Sequence, residues 1–287
     1  MNKLNKLLLN AGIVLAMGLT SSNAMAIGEV FTVNEVAITG TPTTTSFEAT
    51  KINGEFSEIV TITSGNTFST SLKLEFQGFT DERDDSTPST FLGANETIDT
   101  INYGGYKMYL LYKSIGTFSA TTSGFEYITT DAVFEMYADS QSDGIFTAPA
   151  TGTPLLPALP SDLASIDYWS VSGAAGDDLM ATGTFISGSA TQTCAGTAQD
   201  NNCGSFGQTT TFALETLGEN YFIDPVDFYT ISIQSGNFNG FDPVVGSTQQ
   251  IGGVPNVIFK AVPEPSVIAL MGLGFMGLGF MRRSKQA

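Results

Sequence analysis

The stretch FEATKINGEFSEIVTITSGNTFSTSLKLEFQGF, residues 47–79, decides the fold class. Within it Phe68, Thr70, Leu72, Leu74 and Phe76 alternate with Ser69, Ser71, Lys73 and Glu75. Side chains of a β-strand point alternately to opposite faces, so this spacing predicts a strand with one face on a core and the other in water. Asn53-Gly54 predicts a two-residue hairpin turn, and Ser64-Gly65-Asn66 predicts a second turn. The stretch is therefore predicted to form a three-stranded meander.

The rest of the chain's central part repeats this period of two, without a long window of apolar residues at helical spacing. Further strands are predicted at residues 31–38, 106–115, 125–128, 132–138, 166–171, 180–186, 209–217, 228–234 and 257–260. Many short strands separated by turns predict an all-β fold, and we expect a single antiparallel β-sandwich, jelly-roll-like, over residues 27–262. The prolines in residues 146–162 are incompatible with a central strand and predict a surface excursion.

The charge of the chain is concentrated in this central part. Residues 27–262 contain six basic and 27 acidic side chains, a net charge of −21. Because phosphate neutralisation needs clustered Lys and Arg, nucleic acid is excluded as a partner. The sequence has no histidine, which removes Ser-His-Asp and Cys-His catalysis and zinc sites that need imidazole.

The first 26 residues have the features of a secretory signal peptide. Lys3 and Lys6 form a positive n-region, residues 7–19 form an apolar stretch, and Ala24-Met25-Ala26 forms a cleavage site with small residues at Ala24 and Ala26. We expect cleavage after Ala26 and export of the chain. A retained anchor fits less well because the apolar stretch is only 13 residues long.

The other end of the chain predicts a short membrane segment. Residues 267–281 are 15 uninterrupted apolar residues, about 22 Å long as a helix, against a hydrocarbon core of about 30 Å. The basic cluster of Arg282, Arg283 and Lys285 follows at once and should stay on the cytoplasmic side. Residues 263–287 are therefore predicted to be a tail separate from the folded part.

Val262, Pro263, Glu264, Pro265 and Ser266 stand directly before this segment. Together with the apolar helix and the terminal arginines they resemble the PEP-CTERM sorting signal of Gram-negative bacteria. The resemblance implies that the tail is a substrate of an exosortase, a membrane transpeptidase-like enzyme. It also implies a transient inner-membrane intermediate and a host that secretes exopolysaccharide. An ordinary single-span anchor with a proline-rich stalk is the alternative.

Two cysteines, Cys194 and Cys203, bound a loop that contains Gly and Asn. In an oxidising compartment we expect them to form a disulfide, worth about 2.5 to 3 kcal/mol in the chain-entropy model. Metal ligation or a catalytic thiol is the alternative, and the absence of histidine argues against it.

Asp139, Gln141 and Asp143, followed by Gly144, carry oxygen ligands at alternate positions, as in the opening of a calcium loop. The twelfth position is Ala150 instead of Glu, so two interpretations stay open, a Ca²⁺ site and a plain polar turn.

Tyr168 and Trp169 raise a carbohydrate-binding interpretation, because flat aromatic faces stack on flat partners. Tyr103, Tyr106, Tyr109 and Tyr112 raise the same interpretation, with core packing as the alternative. A glycoside hydrolase that uses two carboxylates is a third interpretation. With 27 acidic residues in the central part, some pair will have a suitable separation by chance, so such a pair alone would be weak evidence for catalysis.

A second resemblance concerns the central part, through motifs such as residues 49–58, 134–139, 221–223 and 228–231. These resemble the flocculation-associated PEP-CTERM proteins, which keep floc-forming bacteria in their polysaccharide matrix. The resemblance implies a secreted cell-surface or matrix protein that is not itself an enzyme and has exopolysaccharide or another surface polymer as its partner.

Overall fold

The computed structural model describes residues 28–39, 46–63, 65–81, 90–91, 106–149, 163–193, 204–225, 230–235 and 244–260. The predicted signal peptide, both cysteines and the carboxy-terminal tail lie outside these residues. Within them, no helix has the length and apolar character needed to cross a membrane. The predicted membrane segment, residues 267–281, belongs to the part that is not described.

The described residues form strands with two short helices. The strands are β1 (Phe31–Val33), β2 (Phe47–Ala49), β3 (Lys51–Thr63), β4 (Thr67–Asp81), β5 (Thr90–Phe91), β6 (Lys107–Thr121), β7 (Gly124–Asp139), β8 (Ile145–Thr147), β9 (Ser170–Ser172), β10 (Asp177–Gln192), β11 (Gly204–Thr211), β12 (Ala213–Leu214), β13 (Phe222–Asp224), β14 (Thr230–Ser235), β15 (Thr248–Gly253) and β16 (Asn256–Lys260). The helices are α1 (Val36–Thr39) and α2 (Thr216–Tyr221), and Leu163–Ser165 and Ala174–Gly176 are single 3₁₀ turns.

Eight of the described strands close into an antiparallel barrel. The order around the ring is β3, β4, β6, β7, β10, β11, β14 and β16. β16 returns to β3 through the pairs Asn256–Asn53 and Val257–Ile52, and β15 pairs with the remainder of the same edge of β3. Because the sheet is closed, the inner face of each strand packs against the strands on the opposite side of the barrel.

The prediction of an all-β antiparallel fold is confirmed, and the prediction of a sandwich is wrong. The residues predicted to face the core in β4 are all buried, from Phe68 to Phe76. Alternation along one strand shows that one face is covered but does not show what covers it. In a sandwich the cover is a second sheet, and in a barrel it is the far side of the same sheet. Pairing between distant strands, here β3 with β16, makes the difference.

Asn53-Gly54 is not a hairpin turn. The prediction of a three-stranded meander is therefore wrong, and β3 and β4 form a two-stranded hairpin instead. β3 runs straight through these residues, and its register against β4 shifts between them as a β-bulge. A Cβ on Gly54 would lie 2.5 Å from the carbonyl oxygen of Glu75, so the close approach of the two backbones requires glycine. The other predicted turn is confirmed, since Gly65 and Asn66 have φ of 80° and 59° between paired strands.

Several strand predictions differ in extent from the structure. The strand predicted at 31–38 ends at Val33 and is followed by α1, and the strand predicted at 209–217 gives way to α2. The predictions at 125–128 and 132–138 are one strand, β7, which has a register irregularity opposite Ile115 and Gly116. β15 was not predicted, because its polar sequence, TQQIGG, shows no clear alternation.

Aromatic rings fill one end of the barrel. Phe31 of β1 lies against Phe222 and Phe259, with ring centroids 6.0 and 4.7 Å apart. The hydroxyl of Tyr106 donates to Glu35 Oε1 at 2.9 Å and lies 2.8 Å from the hydroxyl of Tyr221. This hydrogen-bonded group satisfies polar atoms that the small sheet of β13, β1 and β2 buries there.

A second apolar cluster lies on the outside of the barrel. This outer cluster consists of Ile59, Tyr109, Leu111, Ile115, Ile166 and Trp169. The segment that carries Ile166 and Trp169 contacts β4 at Ser71, and both Ser69 and Ser71, which were predicted to face water, are buried. The polar face of β4 is therefore partly an internal surface, which its sequence does not indicate.

Candidate functional site

Three carboxylates converge where β7 ends and β10 begins. Asp139 is the last residue of β7, Asp177 is the first of β10, and the two are Cα partners in the sheet. Asp143 lies in the loop after β7. One carboxylate oxygen from each residue lies within 4.8 Å of the others. We call this group the aspartate cluster.

Asp139 holds the loop after β7 in place. Its side chain is 1% exposed, and its Oδ1 and Oδ2 accept the backbone N–H groups of Gln141 and Gly144 at 3.1 and 2.9 Å. A Cβ on Gly176 would lie 2.2 Å from Gln141 Nε2, so the Gln141 side chain packs against that turn. The loop for which a Ca²⁺ site and a plain polar turn stayed open is thus ordered by Asp139, as either interpretation would require.

Asp177 brings to the aspartate cluster a buried carboxylate oxygen to which no described residue donates a hydrogen bond. Its Oδ2 accepts the hydroxyl of Tyr109 at 2.6 Å, whereas Oδ1 is buried and has no hydrogen-bond partner among the described residues. Burial raises the pKa of Asp177, the hydrogen bond from Tyr109 lowers it, and the nearby charges of Asp139 and Asp143 raise it further. A bound cation would offset the costs of burial and of charge repulsion.

Sequence reasoning found Asp139 and Asp143 but missed Asp177. It is 34 residues after Asp143, and the pairing of β10 with β7 brings it to the cluster. The local signal, Asp177-Asp178 before an alternating stretch, is typical of any strand start.

The aromatic residues singled out for glycan contact are mostly packed in cores. Trp169 is 5% exposed, lies in the outer cluster and donates its Nε1–H to the carbonyl oxygen of Ser71 at 3.0 Å. Tyr168 is half-buried, with the Nζ of Lys113 3.9 Å from its ring centroid. This placement favours core packing for Trp169 and leaves Tyr168 the more accessible ring.

Three of the tyrosines follow the predicted strand parity. Tyr106 and Tyr112 belong to the inner core, and Tyr109 belongs to the outer cluster. All three are 3% exposed or less, so core packing is confirmed for them. Tyr103 lies outside the described residues.

Cys194 and Cys203 also lie outside the described residues, between β10 and β11. The two ends of this connection are paired, Gln192 with Gly204, which places each cysteine within two residues of a paired position. The disulfide between them stays a prediction.

The carboxy-terminal tail matches a family model. The model for the PEP-CTERM protein-sorting motif matches residues 261–283. The chain carries a PEP-CTERM sorting signal. The match includes every residue from Val262 to Ser266 and both Arg282 and Arg283, while Lys285 lies two residues beyond it.

The PEP-CTERM signal implies an exported protein that is routed through the membrane and processed by an exosortase. Neither a curated protein nor a solved structure matches the chain.

Proposed function

We propose that this PEP-CTERM protein is a secreted component of the cell surface or extracellular matrix that supports exopolysaccharide-linked flocculation and biofilm formation. In this proposal it is a substrate of the exosortase and not a catalyst. The observation that carries the proposal is the sorting motif at residues 261–283, which follows a strongly acidic and mostly β-stranded part. A carbohydrate-binding module is the second interpretation, and a glycoside hydrolase is the third.

The order of elements along the chain supports a route to the surface. A cleaved signal, with its site at Ala24 and Ala26, would start export, and the basic cluster of Arg282, Arg283 and Lys285 would halt it at the inner membrane. The two prolines of the motif lack backbone N–H groups and disfavour helix, so the strip around Glu264 would stay extended and accessible. Exosortase processing there would release the folded part to its final partner.

The first prediction tests the sorting motif in the native host. In a strain that lacks the gene, replacement of Pro263, Glu264 and Pro265 by alanine should leave the protein with its tail in the inner-membrane fraction and should fail to restore cell aggregation. The intact chain should lose its tail, leave the inner-membrane fraction and restore cell aggregation. Fractionation, mass analysis of the carboxy terminus and settling assays measure these outcomes.

A matched control places three alanines at prolines outside the motif, Pro154, Pro157 and Pro160. This variant should be processed and sorted like the intact chain. Normal processing of the motif variant would contradict the sorting role. Unchanged settling in the deletion strain would instead leave sorting intact and overturn the flocculation role.

We also propose that the aspartate cluster binds Ca²⁺, with Asp139, Asp143 and Asp177 as candidate carboxylate ligands and Gln141 beside them. The supporting observation is the buried and unpartnered Oδ1 of Asp177 next to two further carboxylates. Ca²⁺ prefers several oxygen ligands, including carboxylates and backbone carbonyls. Bound divalent cations would let an acidic surface bridge to anionic polymer.

The second prediction concerns this calcium site. Saturating Ca²⁺ should stabilise the folded chain by about 2 to 3 kcal/mol, as expected for a ligand at roughly 100 times its Kd. Asp177→Asn should remove most of that stabilisation, whereas Asp178→Asn, its exposed neighbour on the other face of β10, should keep it. Calorimetry and melting curves with and without EDTA measure the effect. No calcium heat together with a melting temperature indifferent to EDTA would exclude the site.

A further inference from the structure

A cavity of about 60 Å³ lies inside the barrel, apart from the aspartate cluster and the tail. Most of its wall is apolar, with side chains such as Val60, Phe68 and Phe206. Polar side chains also line it, among them Glu58, Tyr112 and Gln208. A volume of this size has room for roughly four water-sized groups.

Glu58 places a carboxyl group among these apolar walls. It has the same strand parity in β3 as Phe56 and Val60, both of which belong to the inner core. Its side chain hydrogen-bonds Thr70, whose hydroxyl lies 2.8 Å from that of Ser114. Burial raises the pKa of Glu58 to about 7, and the hydrogen bond from Thr70 opposes this shift.

Two further buried polar atoms lie at the cavity, and one of them lacks a partner in the part of the chain that the structure describes. Gln208 Oε1 is buried and has no hydrogen-bond partner among the described residues, and the hydroxyl of Tyr112 is buried with Ser114 as its polar neighbour. Gln208 Nε2 already donates to Thr129 Oγ1 at 2.6 Å, so the amide oxygen is the atom left to accept. Buried polar atoms are rarely left unsatisfied, so Gln208 Oε1 indicates an occupant that donates a hydrogen bond.

We propose that the cavity binds a small primary ammonium ion that carries a short alkyl chain. An ammonium group supplies three donors and a positive charge, which match Glu58, the oxygen of Gln208 and the oxygen of Tyr112. The alkyl chain would lie against Val60, Phe68 and Phe206. None of the described residues that line the cavity is basic, so a carboxylate-bearing ligand would find no partner for its charge.

The test uses the full-length chain and n-propylammonium chloride, which has four heavy atoms, at pH 8, where Glu58 carries its charge. Titration calorimetry should show saturable binding with a Kd of about 1 mM, within the ceiling for so small a ligand. n-Propanol should bind at least tenfold more weakly, and propionate should not bind.

Variants connect the binding to the cavity. Glu58→Gln should weaken propylammonium binding about tenfold or more, whereas Glu55→Gln, an exposed residue on the outer side of the same strand, should leave it unchanged. Ala190→Leu, at the cavity wall, should abolish it by filling the space.

Three outcomes would overturn the proposal. The absence of saturable heat from the folded wild-type chain would mean that the cavity holds only water. Equal binding by Glu58→Gln and Glu55→Gln, or equal binding of propanol and propylammonium, would show that the carboxylate does not recognise the ligand. A melting curve of each variant verifies that it is folded before its binding is compared.

Discussion

Replacement of Trp169 by alanine is expected to lower the free energy of unfolding by about 3 to 5 kcal/mol, the usual cost of deleting a large buried aromatic side chain. The indole is 5% exposed, fills the outer cluster and donates to the carbonyl oxygen of Ser71. Its loss leaves a cavity over β4 and removes the hydrogen bond to that carbonyl oxygen. Urea unfolding followed by far-UV circular dichroism measures the change.

Two matched variants separate the contributions at this position. Trp169→Phe keeps an aromatic ring and loses the Nε1–H donor, so we expect a smaller cost of about 1 to 2 kcal/mol. Tyr168→Ala removes the half-buried neighbouring ring and should cost less than Trp169→Ala. If Trp169→Ala were as stable as the wild type, the indole would not be a core side chain, and its role in glycan contact would return.

Glu58→Gln is expected to stabilise the chain at pH 8 by about 2 kcal/mol and to change its stability little at pH 4. A shift of the pKa from 4.5 to about 7 corresponds to roughly 3 kcal/mol in full, and we expect less because Glu58 keeps part of its solvent exposure. The amide preserves the volume of the side chain without its charge.

The direction of this pH dependence follows from proton binding. Between pH 4.5 and about 7 the folded chain retains a proton on Glu58 that the unfolded chain has lost. The contribution of Glu58 to stability is therefore complete below pH 4.5 and is lost as the pH rises through about 7. Tyr112 and Tyr127 are the other titratable side chains at the cavity.

Unfolding curves at a series of pH values, followed by the fluorescence of Trp169, test this prediction, because the sequence contains one tryptophan. Subtracting the free energy of unfolding of the wild type from that of Glu58→Gln at each pH cancels the contributions of the other titratable groups, which both chains contain. Glu55→Gln, exposed on the same strand, should show no such pH-dependent difference. A constant difference between pH 4 and pH 8 would show that Glu58 titrates normally.

The hairpin of β3 and β4 shows which features the local sequence can predict. Alternation from Phe68 to Phe76 identified the buried face correctly, and Gly65-Asn66 identified the turn, because both depend on residues close together in the chain. Asn53-Gly54 has the sequence of a turn but forms a bulge, because β4 continues to pair past it as far as Lys51 and Thr80. Tertiary pairing overrode the local preference there.

The candidate cation site shows the same division. Asp139 and Asp143 could be found because they lie four residues apart in the sequence, but Asp177 reaches them through the pairing of β7 with β10. Ser71 has the spacing of an exposed residue and is nevertheless buried, and Trp169, about 100 residues later in the chain, contacts it.

The sequence by itself determined the sorting signal, the excess of acidic side chains and the β-strand character of this protein. Each of these is a property of neighbouring residues or of composition, which needs no folded partner. Only the tertiary structure decided that the sheet closes into a barrel, that Trp169 packs inside a core, and that Glu58 lies in a cavity with Tyr112 and Gln208. These features depend on contacts between residues far apart in the chain, and the periodicity of one strand does not encode which strand will lie opposite it.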